Sequence, residues 1–244
     1  MNLLEVQALR KAYGGLVAVD DATFVVPEKS ITSLIGPNGA GKTTAFDVIS
    51  GVVAPDSGYV GFEGEDITTL LPHRVTARGI GRTFQITREL GDLTVLENMV
   101  VSTIRTDLPS LLRGRVLPPE RERAMELLAF VGIDRLANEY AKKLSYGQRK
   151  LLEFASVLMS APRLVMLDEP AGGVNPALME KLMDHIEELN RQGTSFLIVE
   201  HNMDVVMRLS HSIIVMAHGK VITQGPPAVV REDERVLAAY LGEV

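Results

Sequence analysis

One short run, GPNGAGKT at positions 36–43, restricts the fold of this chain more than any other feature. It satisfies the pattern G-x-x-x-x-G-K-[ST], follows the apolar run SITSLI and precedes a helical pattern. Glycines let the backbone curl so that successive N–H groups point at phosphate oxygens, and the following helix adds its positive N-terminal end. The chain is therefore predicted to hold a nucleoside triphosphate between a buried strand and a helix.

The residues of this loop have separate expected roles. Lys42 is predicted to reach the β- and γ-phosphates and to act in catalysis, and Thr43 to offer its hydroxyl to Mg²⁺. A glycine turn that matches the pattern by chance is disfavoured by the strand–loop–helix context. The loop residues predicted to bind the nucleotide are Gly36, Pro37, Asn38, Gly39, Ala40, Gly41, Lys42, Thr43 and Thr44.

Short apolar runs alternate with longer helical patterns along most of the chain. Four of them, SITSLI, RLVML, SFLIV and SIIVM, are predicted to be buried strands of a parallel sheet covered on both faces. The run PALMEKLMDHIEELN, between the second and third, has its apolar residues on one helical face, and Gly193 follows shortly after it. This strand–helix–strand order predicts a three-layer α/β fold.

Two regions depart from that alternation. Residues 3–30 and 58–64 show short alternating patterns with Gly and Pro turns, which indicates an antiparallel β flank. Residues of about 90–160 show no strand pattern and contain PPERERAMELLAFVG, a helix expected to begin at its prolines and end at Gly132. The Pro-, Arg- and Gly-rich loop at 107–119 is expected to be exposed.

These patterns predict one domain in two parts. An α/β core with its β flank is expected over about 1–88 and 161–244, and a helical subdomain is inserted at about 89–160.

Composition narrows the classes of function. The net charge of -6 gives no electrostatic footprint of a duplex-binding domain, so no nucleic-acid partner is expected. The chain has no cysteine and hence no disulfide or thiolate metal site. Neither a signal peptide nor the roughly 20 mostly apolar residues of a transmembrane helix are found. Any membrane role is therefore expected to come through a partner.

A second group of candidate residues stands where apolar strands end. In RLVMLDEP, Asp168 is predicted to hold Mg²⁺ and Glu169 to polarise the attacking water. His201 follows the run SFLIVE, and the carboxyl ends of neighbouring parallel strands meet in one crevice. His201 is therefore predicted to form a hydrogen bond with the γ-phosphate and to keep Glu169 and the attacking water in a fixed geometry. Ordinary helix capping is the alternative for the acidic pair and for the histidine.

The stretch LSYGQ at 144–148 has the chemistry of another anion site, since a hydroxyl residue and a glycine open a helix. Together with the phosphate loop and LDEP it resembles the nucleotide-binding subunits of ATP-binding cassette (ABC) transporters, over essentially the whole chain. The resemblance implies a RecA-like P-loop NTPase core, with ATP and Mg²⁺ as ligands. LSYGQ is similar to the family's signature, normally LSGGQ, which completes the ATP site of a second cassette stacked head to tail. Ser145, Gly147 and Gln148 are therefore expected to cap ATP on the partner.

The resemblance implies further roles. Tyr13 in KAYGG matches the aromatic residue that stacks on adenine. The alternative is that this tyrosine only packs against its neighbours near the turn. Gln85 in RTFQ matches the glutamine that touches Mg²⁺ and senses the permease, and AGGVNP at 171–176 matches the loop across the dimer interface. The chain departs from the family where Tyr146 replaces the first signature glycine and Asn175 replaces the commoner aspartate of the interface loop.

The motifs GIGRTFQ, LSYGQ, AGGVNP, VEHNMDVVM and AAYLGEV together resemble the ATPases of branched-chain amino acid importers. RTFQ and the loop at 105–119 are most similar to the first of that system's two ATPase subunits. The resemblance implies a peripheral place at the cytoplasmic face of the membrane. The implied partners are integral permease subunits, a sister ATPase or second copy, and indirectly an external substrate-binding protein. The segment ITRELGDLTVLENM after Gln85 is predicted to receive a short permease helix.

Close relatives of such importers serve urea or amide uptake, and a cousin branch exports lipopolysaccharide. A soluble cassette acting on nucleic acid or ribosomes is disfavoured by the short spacing between Gln85 and Ser145 and by the acidic balance. A degenerate cassette that binds without hydrolysing is disfavoured because the expected site residues are all present, namely Lys42, Asp168, Glu169 and His201.

Overall fold

The structure is a computed structural model that describes residues 1–83, 90–101 and 117–241. Its strands, in chain order, are β1 (Asn2–Tyr13), β2 (Leu16–Pro27), β3 (Ile31–Ile35), β4 (Ser57–Phe62), β5 (Glu65–Asp66), β6 (Ile80–Arg82), β7 (Leu164–Asp168), β8 (Ser195–Val199), β9 (Ser212–Ala217) and β10 (Lys220–Gly225). Its helices are α1 (Lys42–Ile49), α2 (Pro72–Ala77), α3 (Val95–Val101), α4 (Pro118–Phe130), α5 (Tyr146–Leu158), α6 (Pro176–Arg191), α7 (Met203–Leu209), α8 (Pro227–Arg231) and α9 (Glu234–Leu241).

A six-stranded sheet with the order β10-β9-β3-β8-β7-β6 forms the centre of the molecule. Its neighbouring strands are parallel except for β10, which pairs with β9 in the antiparallel sense. Every residue of β3, β7 and β8 is buried. The four predicted strands are therefore confirmed, and their carboxyl ends lie side by side at one edge of the sheet.

Apolar side chains leave both faces of this sheet, as the three-layer prediction requires. Val165 and Leu167 of β7 join a cluster with α5 and α6, whereas Leu164 and Met166 join a second cluster with α1 and the flanking strands. Alternate residues of a strand point to opposite faces, which explains the division. The predicted apolar face of α6 packs into the first of these clusters.

The antiparallel flank is a four-stranded sheet with the order β2-β1-β4-β5. The prediction of antiparallel pairing is confirmed, but the prediction of short strands is wrong. Strands β1 and β2 contain 12 residues each. Register shifts interrupt their pairing, including one between Val6 and Leu9, where Ala8 has a φ of 49°. Such bulges break the period of two, so one long strand looks like several short ones in sequence.

Helices dominate the described residues between 90 and 160. Helices α3, α4 and α5 pack on one another there, and 3₁₀ turns at 134–136 and 141–143 join the last two. The predicted limits of α4 are confirmed, because it begins at Pro118 and ends two residues before Gly132. Most of the predicted exposed loop lies outside the described residues, and residues 117–119 are exposed. In the described part of the chain, no helix has the length and apolarity to cross a bilayer.

Candidate functional site

The phosphate loop connects the carboxyl end of β3 to the start of α1 at the centre of the six-stranded sheet. Gly36 and Gly41 have φ angles of 150° and 97°, which residues with a side chain rarely adopt. A Cβ atom at Gly36 would lie 2.0 Å from the carbonyl oxygen of Met216, and one at Gly41 would lie 2.3 Å from that of Ala18. The loop therefore requires glycine at both positions, for conformation and for space.

The Lys42 side chain folds back onto the start of this loop. Its Nζ donates hydrogen bonds to the carbonyl oxygens of Gly36 at 2.8 Å and Pro37 at 3.0 Å. Burial lowers the pKa of the Lys42 ammonium, whereas the negative charges of Glu169 and Asp168 act in the opposite direction. The cation thus lies in the field of the predicted catalytic carboxylate of Glu169 and the predicted metal ligand Asp168, and phosphate oxygens could replace its two carbonyl acceptors.

The remaining loop residues leave room for a ligand. Asn38, Gly39 and Thr43 are exposed, and Thr44 is half-buried. The loop is held from behind, since the amide of Gly219 donates to the carbonyl oxygen of Ala40 at 3.1 Å.

The acidic pair lies at the end of β7. Asp168 is 3% exposed, and burial raises the pKa of its carboxyl, while the nearby Arg82 guanidinium acts to lower it. Glu169 is about one-third exposed and has a φ of 49°, a conformation uncommon outside glycine. Its amide donates to the carbonyl oxygen of Val199 on β8 at 2.9 Å, which fixes the backbone at this strained point. The two carboxylates therefore occupy different environments, one buried and one open to the site.

Arg82, at the end of β6, is a residue of the site that the motif analysis missed. Its Nη1 donates to Asp47 Oδ1 and to Ser50 Oγ, both at 2.7 Å, and its Nη2 lies 3.4 Å from Asp168 Oδ2. The side chain is only 9% exposed. The guanidinium thus joins the C-terminal end of α1 to the end of β7. The available signal was a charged residue within the short run GIGR, next to the predicted Gln85 motif.

Replacing Arg82 with methionine is expected to lower the free energy of unfolding by about 3 kcal/mol, because two carboxylates lose a buried counter-charge. The pKa of Asp168 is raised by burial, so the stability tied to its protonated form is lost as pH rises through that pKa. Without the Arg82 guanidinium, ionisation of Asp168 costs more folding free energy. The drop in the free energy of unfolding caused by Arg82→Met should therefore be larger at about pH 7 than at about pH 4.

Urea unfolding of both proteins without Mg²⁺ measures this difference. Arg123→Met, which removes an exposed pair with Glu126, is the matched control and should cost under about 1 kcal/mol. A small defect that is the same at both pH values would contradict the account of Arg82.

His201 follows β8 and faces the acidic pair. Its Nδ1 lies 3.8 Å from Glu169 Oε1 and 3.9 Å from Glu200 Oε2, and its side chain is mostly exposed. Glu200 is buried, and its carboxylate accepts hydrogen bonds from the amides of His201, Asn202 and Ala171 at 2.9–3.0 Å. It therefore fixes both the histidine and the loop after Glu169. Sequence reasoning missed Glu200, although a carboxylate that ends an apolar strand was a usable signal.

Tyr13 lies at the end of β1, in the hairpin whose other strand supports the phosphate loop through Ala18. Its ring is about half exposed, and Leu16 and Val17 in the same hairpin are also exposed. Lys11 Nζ lies 5.6 Å from the ring centre. An exposed aromatic ring with apolar neighbours beside the loop is a suitable platform for a base, so the stacking role of Tyr13 stays a prediction.

The signature stretch forms the start of α5. Ser145 Oγ accepts from the amide of Gln148 at 3.3 Å, and Gln148 Oε1 accepts from the amide of Ser145 at 2.9 Å. This reciprocal capping box fixes the N-terminal turn of the helix. Ser145 is exposed, and Gly147 packs against Leu178 of α6. Among the residues that the structure describes, neither Ser145 nor Gln148 hydrogen-bonds to the phosphate loop of its own chain.

The two departures from the family pattern have structural explanations. Tyr146 directs its hydroxyl away from the helix axis and donates to the carbonyl oxygen of Gly172 at 3.1 Å. Asn175 caps α6, because its Oδ1 accepts from the amide of Leu178 at 2.9 Å. Both substitutions are thus accommodated in the loop at 171–176.

The C-terminal helix α9 supports the phosphate loop from below, a role that the sequence left open. Val236 packs in one cluster with Ile35, the last residue of β3, and with Val206 of α7. The amide of Gly36 faces the phenolic oxygen of Tyr240, and burial raises the pKa of that tyrosine against the effect of the amide. The helix therefore shares one hydrophobic cluster with the strand before the phosphate loop and with the helix after His201.

Two predictions fall wholly or partly outside the described residues. Gln85 is one of them, so its place relative to the site is not described. The predicted permease-binding segment begins in the same undescribed stretch, and its residue Leu90 is about half exposed.

The oxygen ligands of the site suit Mg²⁺. Within residues 1–83, 90–101 and 117–241, no three His, Cys, Asp or Glu side chains cluster as metal ligands. Thr43 and Asp168 supply one hydroxyl and one carboxylate from α1 and β7. Magnesium keeps several waters and is commonly held by one or two protein oxygens together with substrate phosphates. These residues therefore fit an ion that arrives with its nucleotide.

Comparison with known families gives two matches. The family described as ABC transporter matches residues 19–172. The family described as branched-chain amino acid ATP-binding cassette transporter matches residues 220–244, which include α9.

Curated relatives match over nearly the full length of the chain. It is 41% identical to the probable branched-chain amino acid transport ATP-binding protein LivG of Archaeoglobus fulgidus, over 99% of this chain and 96% of the relative. It is 39% identical to the high-affinity branched-chain amino acid transport ATP-binding protein BraF of Pseudomonas aeruginosa, over 99% and 98%.

Solved structures agree with these relatives. A nucleotide-free ATP-binding cassette from an ABC transporter superposes with a TM-score of 0.87 at 35% identity, covering 98% of this chain and 99% of that one. A dimeric bacterial ABC transporter cassette superposes with a TM-score of 0.80 at 27% identity, covering 91% and 98%.

Proposed function

The chain belongs to the ABC transporter family, and from this premise we propose that it is the ATPase subunit of an importer for branched-chain amino acids. The proposed ATPase activity rests on one observation. Four side chains lie together at one edge of the central sheet, those of Lys42, Asp168, Glu169 and His201. The named substrate of its curated relatives supports the choice of cargo.

ATP binding follows from the phosphate loop. The amides of the loop and the start of α1 would surround the β- and γ-phosphates, and the Lys42 ammonium would exchange its carbonyl acceptors for phosphate oxygens. Tyr13 would stack on the adenine from the β1–β2 hairpin. Thr43 and Asp168 would hold Mg²⁺, which supplies charge neutralisation at the phosphates.

Hydrolysis requires a water held in line with the γ-phosphate. Glu169 is open to the site, and we assign to it the polarisation of that water. His201 lies beside this carboxylate and would bond the γ-phosphate, so that glutamate, water and phosphate keep a fixed geometry. Glu200 positions the histidine from the buried side.

The signature stretch is assigned to the ATP of a second cassette. Its capped helix start at Ser145 is exposed, which suits an anion that arrives from outside the chain. Two cassettes stacked head to tail would each supply Ser145, Gly147 and Gln148 to the γ-phosphate on the partner. ATP would thereby hold the pair together, and hydrolysis would release it.

Permease subunits complete the proposed assembly. The chain would lie at the cytoplasmic face of the membrane beneath two integral permeases, beside a sister ATPase or a second copy of itself. An external binding protein would deliver the cargo. Gln85 and the segment after it would contact a short permease helix, with the exposed Leu90 on that surface.

Uptake measurements in a strain lacking this subunit test the proposal. The wild-type chain is expected to restore uptake of labelled leucine, isoleucine and valine, and a Glu169→Gln version is expected to restore none. Restored uptake of urea alone would overturn the choice of cargo. ATPase activity stimulated by DNA or ribosomes, with no association with integral subunits in membranes, would overturn the transport function itself.

A further inference from the structure

We propose that Tyr146 is a positioning residue that couples the signature helix to the hydrolytic residues of its own subunit. On the proposed function, from which this inference starts, the signature covers the partner's ATP. Tyr146 would then link the lid over one nucleotide to the catalytic edge that serves the other.

The first link is the contact of the tyrosine with the interface loop. Its hydroxyl donates to the carbonyl oxygen of Gly172 at 3.1 Å. Its ring covers Gly173, where an added Cβ atom would lie 3.0 Å from the ring carbon Cε1. Gly173 has a φ of 71°, so the loop adopts a conformation that suits glycine at the point where the ring packs. Hydrogen bond and packing together fix the loop relative to the ring.

The second link connects this loop to the catalytic edge. The amide of Gly172 donates to the backbone oxygen of Glu169 at 3.0 Å, and the amide of Ala171 donates to Glu200 Oε1 at 2.9 Å. The other oxygen of Glu200 accepts from the amide of His201 at 2.9 Å. A displacement of the loop would therefore move both Glu169 and His201, because these hydrogen bonds and the peptide bonds of the loop connect the two residues to it.

The third link joins Tyr146 to the anion site. Tyr146 is the first residue of α5, directly after the capping residue Ser145, and the capping box fixes that turn. The next residue, Gly147, packs against Leu178 of α6 so closely that a Cβ atom there would lie 2.5 Å from Cδ2. The start of α5 thus touches the loop and helix α6 at two adjacent points, which limits its freedom to rotate independently of them.

Glycine, the usual family residue at this position, has no side chain that could make the first link. A subunit with tyrosine is therefore expected to transmit the closure of the signature over the partner's ATP into its own Glu169 and His201. Such coupling is a free energy between two sites and appears as cooperativity in ATP hydrolysis.

The test compares Tyr146→Phe and Tyr146→Gly with wild type in the assembled transporter, by ATPase rate against ATP concentration. Loss of the hydroxyl bond is expected to lower kcat about three- to tenfold and to lower the Hill coefficient below the wild-type value, with ATP affinity of the dilute subunit unchanged. Tyr146→Gly should lose at least as much. Tyr140→Phe, at an equally exposed tyrosine on the helical subdomain, is the matched control and should change neither quantity.

The outcomes separate this inference from the proposed function. If wild type hydrolyses ATP cooperatively and Tyr146→Phe matches it in kcat and Hill coefficient, the inference is wrong and the proposed function stands. If wild type forms no ATP-dependent pair, the proposed function itself fails. A merely structural role would lower the melting temperature of Tyr146→Phe while leaving the Hill coefficient of its folded fraction at the wild-type value, and this result would also overturn the inference.

Discussion

Replacing Glu169 with glutamine is expected to reduce kcat for ATP hydrolysis by at least ~100-fold, because the amide cannot accept the proton of the attacking water. ATP affinity should stay within about twofold of wild type, since the phosphate loop and Asp168 are untouched. The glutamate and glutamine side chains are similar in shape, and the backbone N–H of residue 169 still donates to the carbonyl oxygen of Val199. Phosphate release and the binding of a fluorescent ATP analogue measure the two effects.

The control for this variant is Glu126→Gln, an exposed glutamate on α4 that pairs with Arg123. It should hydrolyse ATP at the wild-type rate. Turnover by Glu169→Gln at that same rate would remove Glu169 from the catalytic role and leave His201 without the carboxylate that it faces.

Replacing Lys42 with alanine is expected to weaken ATP binding by roughly 10- to 100-fold, the usual effect of losing a hydrogen bond from a charged donor. Burial already lowers the pKa of this ammonium, and the carboxylates of Glu169 and Asp168 act to keep it charged. A phosphate that replaces the carbonyls of Gly36 and Pro37 as acceptors would stabilise the charged form further. Titration calorimetry with ATP and Mg²⁺ measures the loss.

Lys181→Ala is the matched control, since Lys181 is an exposed lysine on α6. It should bind ATP as wild type does. Because Lys42 also closes its own loop, circular dichroism must first show that Lys42→Ala is folded. A folded variant with unchanged affinity would contradict the role assigned to the lysine.

The parts of the fold that sequence predicted are those that local pattern determines. Strands β3, β7 and β8 are buried on both faces, so their sequences are mostly apolar and their ends are marked by glycine or charge. The length of β1 and β2 could not be predicted in this way. Their bulges, one near Ala8, break the alternation on which the prediction depended.

Some residues of the candidate site could likewise be predicted from local sequence pattern, and others could not. Lys42, Asp168 and His201 stand at predictable positions, because a loop pattern or a strand end marks each of them in sequence. Arg82 and Glu200 also stand at strand ends, but no motif in the sequence assigns a role to either of them. Their importance comes from partners distant in the chain, since Arg82 contacts a carboxylate 35 residues away and Glu200 an amide 29 residues away. Such contacts exist only once the sheet has formed, so the charge at a strand end indicates a position in sequence but not the partner.

In the proposed assembly a nucleotide is held between two cassettes, each of which covers the phosphates of the other. The chain contains no cysteine, so a single cysteine introduced into it is its only reactive thiol. In the Glu169→Gln form, cysteine replaces Ser145 in one subunit and Asn38 in its ATPase partner, or the corresponding residue if that partner is the sister subunit. A short bismaleimide is then added with ATP and Mg²⁺, with ADP, or without nucleotide. We expect a cross-linked pair with ATP and Mg²⁺ and none with ADP or without nucleotide. An absence of cross-linking with ATP, or equal cross-linking in all three conditions, would contradict this arrangement.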